Sequence, residues 1–486
     1  MRSDELYDAL TEVDDSLVEE AAASAETRGN RVVRLRWLGA IAAAVALAIV
    51  LTAILLPGGG GGLTAYAIQT PTYPSYAPYP DYSAFLSAEE VDNEAIQEAY
   101  TAWYAGWLQR VAARKNYSTD TLRAYLTAAI PAFLGGHEGE NVSCSPVNLY
   151  LALAMLAETT GGETRAQILS LLGASDMDSL RIVARSVFLA NYSDDGATKS
   201  LLAGALWLRD DMDYSAETIK QLAEIYYCSS FRGTMGSEGY DEALRAWLNE
   251  QTGGQLSDQL AGLSFDPNTV LALTTTVDFA ERWCAEFQPE RTTDAVFHSA
   301  AGDVACRMMH QDTSGFYFWG AQFGAIELPF TDSGKMRFLL PDEGVSAEAL
   351  LNDPEALSFL LSTEYGSWEN CKDLILHLSL PKFDISSQLS LGAPLRELGL
   401  TDVFDPDTAD FSPLTATEGA VLSQVTHGAR VAVDEQGVTA SAYTMMMIGA
   451  GMPPEEEIDF TLDRPFVFAV YGIDGLPLFV GIVNVP

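Results

Sequence analysis

From Gly437 to Met452 this chain carries no charge and no proline, and that stretch constrains the fold more than any other feature. It follows a strand-like apolar run at residues 430–433 and the polar step Glu435, Gln436. It stops at Pro453 and Pro454, which three glutamates follow. In an extended strand, side chains alternate between faces. Val438, Ala440, Ala442, Thr444 and Met446 therefore share one face, and Thr439, Ser441, Tyr443, Met445 and Met447 the other. The first face is small and uncharged, as a strand buried in the middle of a sheet must be, because such a strand tolerates neither charge nor proline. Gly437 is the natural hinge, since glycine moves freely between backbone regions. The pattern describes a segment able to enter an existing sheet, with a hinge at one end and a solvated acidic terminus at the other.

The N-terminal third has a different character. Residues 1–37 form an acidic, helix-prone arm that closes with Arg28, Arg31, Arg34 and Arg36. Residues 38–56 are uncharged and largely apolar; as a helix they rise about 28 Å, enough for a bilayer core of about 30 Å. One transmembrane helix is expected there. No Lys or Arg follows until Arg110, so the positive-inside rule puts residues 1–37 in the cytoplasm and the rest outside. A cleaved signal peptide ending at Ala65, Tyr66, Ala67 is the rival, but the long arm and the intervening Pro-Gly run place that site too far from the apolar stretch. Residues 57–87, Gly-rich and then Pro/Tyr-rich, predict an extended, poorly packed tether reaching at least about 30 Å. Residues 88–117 form an extra helical segment, with apolar residues at helical spacing across 88–114. Whether that helix packs on the domain at 118–486 or continues the stalk stays open.

Within 118–486, helical patterns at 122–133, 146–158, 164–172, 216–227 and 242–250 precede strand-like segments at 270–279, 325–330, 337–340, 374–380, 466–470 and 478–483. That mixture predicts an α+β domain. The formal net charge of −40 argues against nucleic acid and heparin-like partners, which need clustered Lys and Arg. Cys144, Cys228, Cys284, Cys306 and Cys371 are odd in number and have no metal-ligand spacing. Buried free thiols are the simpler reading, and one disulfide among them stays possible.

A series of segments resembles the serpin family. They are residues 141–173 (NVSCSPVNLYLALAMLAETTGGETRAQILSLLG), 245–256 (RAWLNEQTGGQL), 278–283 (DFAERW), 296–309 (VFHSAAGDVACRMM), 338–344 (FLLPDEG), 380–385 (LPKFDI), 409–414 (ADFSPL), 423–437 (SQVTHGARVAVDEQG) and 463–486. They occur in the family's order across residues 118–486. The resemblance implies a serpin fold with three β-sheets, about nine helices and an exposed reactive-centre loop. It also implies a suicide inhibitor of serine proteases: the target attacks the loop and forms an acyl-enzyme ester, and the freed loop inserts as a new strand before water can cleave the ester.

Carried over by motif position, the resemblance makes Glu435, Gly437, Val438, Ala440 and Ala442 the hinge. Val438 stands where the family prefers Thr or Ser, and Tyr443 departs from the small pattern on the outward face. Counting from Gly437 puts the scissile bond at Gly451–Met452, with Ala450–Gly451 the runner-up; either suits an elastase-like or subtilisin-like target. A polar lock beneath the sheet falls on Ser145, Asn148, Thr275 and His427, of which only Ser145 and His427 keep the usual identity. Trp283 and Glu435 match the point where insertion begins.

An enzyme is not expected, because the chain lacks G-x-S-x-G, H-E-x-x-H, P-loop and dinucleotide fingerprints. No cofactor or metal is implied. The expected partners are a target serine protease in covalent complex and the lipid bilayer through residues 38–56, on a monomer at a bacterial cell surface. The competing reading is a non-inhibitory serpin-fold binding module tethered there, which Tyr443 and the altered lock favour.

Overall fold

The computed structural model describes residues 62–80, 93–438 and 456–486, apart from 197, 255–259, 261, 332–333 and 363–367. The apolar stretch at 38–56, the hinge residues Ala440 and Ala442, and the candidate bond at 450–452 lie outside these residues. Among the described residues no helix is long and apolar enough to cross a membrane.

A five-residue helical turn (Gly62–Tyr66) opens the described residues, followed by a short strand β1 (Ala67–Gln69) and a long helix α1 (Asn93–Ala113). The domain continues as α2 (Thr119–Leu134), β2 (Val142–Cys144), α3 (Pro146–Thr159), α4 (Gly162–Leu172), α5 (Met177–Asn191), β3 (Lys199–Arg209), α6 (Ala216–Tyr226), β4 (Cys228–Gly233), α7 (Glu238–Gln251) and β5 (Leu271–Arg282). Next are β6 (Thr293–Ser299), β7 (Gly302–Trp319), β8 (Phe323–Pro329), β9 (Lys335–Pro341), α8 (Ala347–Leu351), α9 (Pro354–Leu360), β10 (Cys371–Pro381) and β11 (Phe383–Ser390). The chain closes with α10 (Gly392–Glu397), β12 (Leu422–Val433), β13 (Gly437–Val438), β14 (Glu457–Thr461), β15 (Phe466–Tyr471) and β16 (Pro477–Val483). Nine α-helices, α2 to α10, thus lie among the described residues of 118–486.

Two hydrogen-bonded sheets form among the described residues, where three were expected. The first runs β1-β4-β3-β5-β13-β12-β11, and the second β14-β10-β7-β8-β9-β15-β16-β2 with β6 added on β7. The difference has a simple cause: β7 is 18 residues long, and β10 pairs along its whole length with it, so two of the expected sheets share continuous strands.

Helix α3 sits at the centre. Pro146 opens it, pre-set for a helical first turn, and the Ser145 hydroxyl caps it by accepting the Asn148 N–H. Every residue of α3 is buried, as expected of a helix apolar all round, and it packs on β5, β16, α4 and α5. Each fully buried Leu or Met there contributes about 1.5–3 kcal/mol.

The expectation of a loose tether over 57–87 does not hold for residues 66–80. Strand β1 pairs antiparallel with the edge strand β4, Ala67 opposite Phe231. Tyr73 then stacks on Tyr192 at 5.3 Å between centroids and lies near Phe188 and Tyr227. Higher up, the Tyr79 N–H donates to the Asp195 carbonyl at 2.7 Å. Helix α1 docks on α5, donating to the Asp195 carboxylate from Trp103 Nε1 at 2.9 Å and from Arg110 at 3.2 Å. The Pro/Tyr composition that suggested solvated chain instead supplies flat rings for an aromatic groove and covers an open sheet edge.

All five cysteines are free; Cys144 and Cys228 are buried, whereas Cys284, Cys306 and Cys371 are only partly covered.

Candidate functional site

The first sheet holds an anomaly at its centre. Strands β5 and β12 run parallel, while β3 and β5 are antiparallel and so are β12 and β11. Their pairing begins at Leu271 opposite Leu422 and stops at Thr276 opposite Gly428. Above that level the two-residue strand β13 lies between them, antiparallel to both: Gly437 faces Arg282, and Val438 faces Glu281 on one side and Val433 on the other. Parallel pairing is slightly the weaker ladder. An antiparallel strand placed between β5 and β12 would replace it with two antiparallel ladders.

The turn that delivers β13 is held on all sides. Within it, Asp434 N–H donates to the Gly437 carbonyl at 3.0 Å. Asp434 Oδ1 accepts the N–H groups of Gln436 and Gly437 at 2.9 and 3.2 Å. From outside, Trp283 Nε1 donates to the Asp434 carbonyl at 3.0 Å, Trp283 N–H to that of Gln436 at 3.1 Å and Phe287 N–H to that of Glu435 at 2.9 Å. The Glu435 carboxylate accepts from Thr292 Oγ1 at 2.8 Å and from Lys382 at 2.6 Å. Burial alone would raise its pKa; these donors outweigh it and hold the carboxyl below its usual range. At Gly437 a Cβ would collide with the Glu281 carbonyl oxygen, so only glycine fits. Val438 is 1% exposed, and Gly437 and Val438 both lie paired inside the sheet.

Where the β5–β12 ladder stops, the structure brings Ser145, Asn148, Thr275 and His427 together. His427 is 0% exposed. Its Nε2 accepts the Ser145 backbone N–H at 2.9 Å, so the ring proton resides on Nδ1 and points at Thr275 Oγ1, 3.0 Å away. Asn148 Nδ2 donates to the Thr276 carbonyl at 2.8 Å, on the last paired rung. Burial drives the His427 pKa down from 6.5 to about 3, so the ring is neutral. Both ring nitrogens are occupied and no solvent reaches them, which suits a polar tie between α3 and the sheet and does not suit a catalytic base.

Sequence reasoning missed Asp434, Thr292 and Lys382. A signal for Asp434 was present: an Asp three residues before a Gly is the composition of an Asx turn. Thr292 and Lys382 reach Glu435 from the segments before β6 and β11, and no local pattern announces them.

A family model described as Serpin (serine protease inhibitor) matches residues 130–486. Plasminogen activator inhibitor 1 of Neovison vison is 30% identical over 362 residues, covering 71% of this chain and 87% of the relative. Leukocyte elastase inhibitor A of Rattus norvegicus is 28% identical over 339 residues, covering 68% of this chain and 89% of that one. Among solved structures, the thermophilic serpin tengpin in its native state aligns with a TM-score of 0.67 at 24% identity, over 76% of this chain and 94% of that chain, a likeness of fold. With a family model spanning most of its length, the chain belongs to the serpin family, described as serine protease inhibitors, and is not an enzyme.

Proposed function

We propose that this protein is a suicide inhibitor of serine proteases that traps the acyl-enzyme by drawing its cleaved loop into the first sheet between β5 and β12. The observation that carries this reading is β13, already seated between two parallel strands and antiparallel to both. Register then supports the position of the bond. Continuing the β5 register from Gly437 opposite Arg282 and Val438 opposite Glu281 sets Ile448 opposite Leu271, the first residue of β5. Continuing the β12 register from Val438 opposite Val433 sets Gly449 opposite Leu422, the first residue of β12. Both ladders are thus exhausted at 448–449, and cleavage at Gly451–Met452, or at Ala450–Gly451, frees a strand that fills the sheet with little excess. Val438, Ala440, Ala442, Thr444 and Met446 would share one face, and none is charged.

The small residue on the acyl side of either bond favours elastase-like or subtilisin-like targets over trypsin-like ones. The relative named leukocyte elastase inhibitor A accords with that class. Residues 38–56 would anchor the protein in a cell membrane, with the inhibitory domain outside.

The test is to incubate the protein with pancreatic-type elastase and with subtilisin, followed by denaturing gels and mass spectrometry. A covalent complex, with a released peptide starting at Met452 or Gly451, is expected. Complete loop cleavage without complex would replace this reading with a non-inhibitory binding module.

A further inference from the structure

We infer that Asp434 is a positioning residue for strand insertion: its carboxylate keeps the 434–437 turn folded as a hairpin nucleus before any protease arrives. This rests on the insertion reading above.

A hairpin is normally slow to start and quick to extend, because closing the turn fixes several dihedrals before the ladder gives anything back. Here the closing step is already complete. The Asp434 side chain supplies an acceptor for two successive N–H groups, Gln436 at 2.9 Å and Gly437 at 3.2 Å, while its own N–H donates to the Gly437 carbonyl. The carbonyls of residues 434, 435 and 436 are all held by donors on Trp283 and Phe287. The first rung, Val433 with Val438, follows directly. After cleavage at 450–452 the loop has only to add rungs to an existing ladder, at a cost per residue and not per loop.

The carboxylate is the adjustable part of this nucleus. The ties from Trp283 and Phe287 involve the turn's carbonyls alone, so without Asp434 the Gln436 and Gly437 N–H groups lose their carboxylate acceptor. Gln436 is exposed, so water can take over its N–H if the side chain is removed. The N–H of buried Gly437 loses the same acceptor, so the turn loses the group that makes it tight. Insertion slows, and more of the acyl-enzyme is released by hydrolysis. The bait bond lies far along the chain from Asp434, so the first attack by the protease is untouched.

The experiment compares Asp434→Ala, Asp434→Asn and the unaltered protein. Against elastase or subtilisin, Asp434→Ala should form complex at an unchanged initial rate of attack, with the moles of inhibitor consumed per mole of protease trapped rising several-fold. Asp434→Asn keeps the Oδ1 acceptor and should restore the original ratio. A second readout does not need trapping: thermolysin, a metalloprotease that forms no acyl ester, nicks the loop, and the gain of heat stability by the nicked protein is followed in time. Asp434→Ala should gain it several-fold more slowly, to the same final level. Equal ratios and equal rates for all three proteins would overturn the role of Asp434. An Asn variant as slow as the Ala variant would do so too, because it would make charge and not turn geometry the cause. If nicked unaltered protein gains no heat stability, it is the insertion reading itself that fails.

Discussion

The unprotonated Nε2 of His427 accepts the backbone N–H of Ser145 at 2.9 Å, tying strand β12 to the cap of helix α3. A protonated ring has no acceptor to offer there. The folded pKa is about 3 against an ordinary 6.5, so below about pH 6.5 the unfolded state binds a proton that the folded state refuses. Stability from this group is therefore full at pH 7 and is lost as pH falls from 6.5 toward 3, by at most about 1.4 kcal/mol per pH unit. Unfolding midpoints in denaturant should drop between pH 7 and pH 4. In His427→Gln the drop should be shallower, from a starting point lower by about 1–3 kcal/mol. Equal slopes for the two proteins would remove His427 as the source.

Val438 has entered the sheet and is 1% exposed. Val438→Glu would place an unpaired carboxylate beside Glu281, at a cost of several kcal/mol that expulsion of the hinge avoids. The variant should be cut by its target protease and trap almost none of it. Val438→Thr keeps a β-branched shape and should trap within a few-fold of the unaltered protein. Product ratios on denaturing gels decide the point.

Tyr73 is packed among Phe188, Tyr192 and Tyr227, and its hydroxyl is buried with no hydrogen-bond partner among the described residues. Tyr73→Ala should cost about 3–5 kcal/mol by leaving a cavity in the aromatic groove. Tyr73→Phe should be neutral or stabilising by up to about 1 kcal/mol, because it removes an unsatisfied hydroxyl. Thermal unfolding of the two variants side by side tests whether residues 66–80 belong to the folded domain.

The anchoring role of residues 38–56 has a direct check. The full chain mixed with phosphatidylcholine vesicles from detergent should float with them through a density gradient, and alkaline carbonate should not strip it. A chain beginning at residue 62 should stay at the bottom. Release of the full chain by carbonate would rule out a membrane span.

Part of this architecture was legible in the sequence because it is written in local patterns. The uncharged run after Gly437, the apolar helix behind Ser145 and Pro146, and the nine ordered motifs depend on side-chain alternation, capping and composition, which neighbours in the chain set for themselves. Helices at 146–159, 162–172 and 216–226 accordingly matched their periodicity. Helix α5 and the strands β3 and β7 were not called, since their patterns are ambiguous until a neighbouring sheet selects one.

What only the tertiary structure decided depends on partners distant in sequence. Four residues spread from 145 to 427 meet at one level of the sheet, and Lys382 and Thr292 converge on Glu435 from segments that share no local pattern. Residues 66–80 read as free chain because proline and tyrosine carry no period; their fate was settled by an unpaired edge on β4 and a groove whose rings match theirs. The sequence by itself determined that an uncharged, proline-free run follows Gly437, since alternation and absence of charge are properties of the run alone. Where its first two residues sit was decided by β5 and β12, because a place between two strands is a relation between them and belongs to neither sequence.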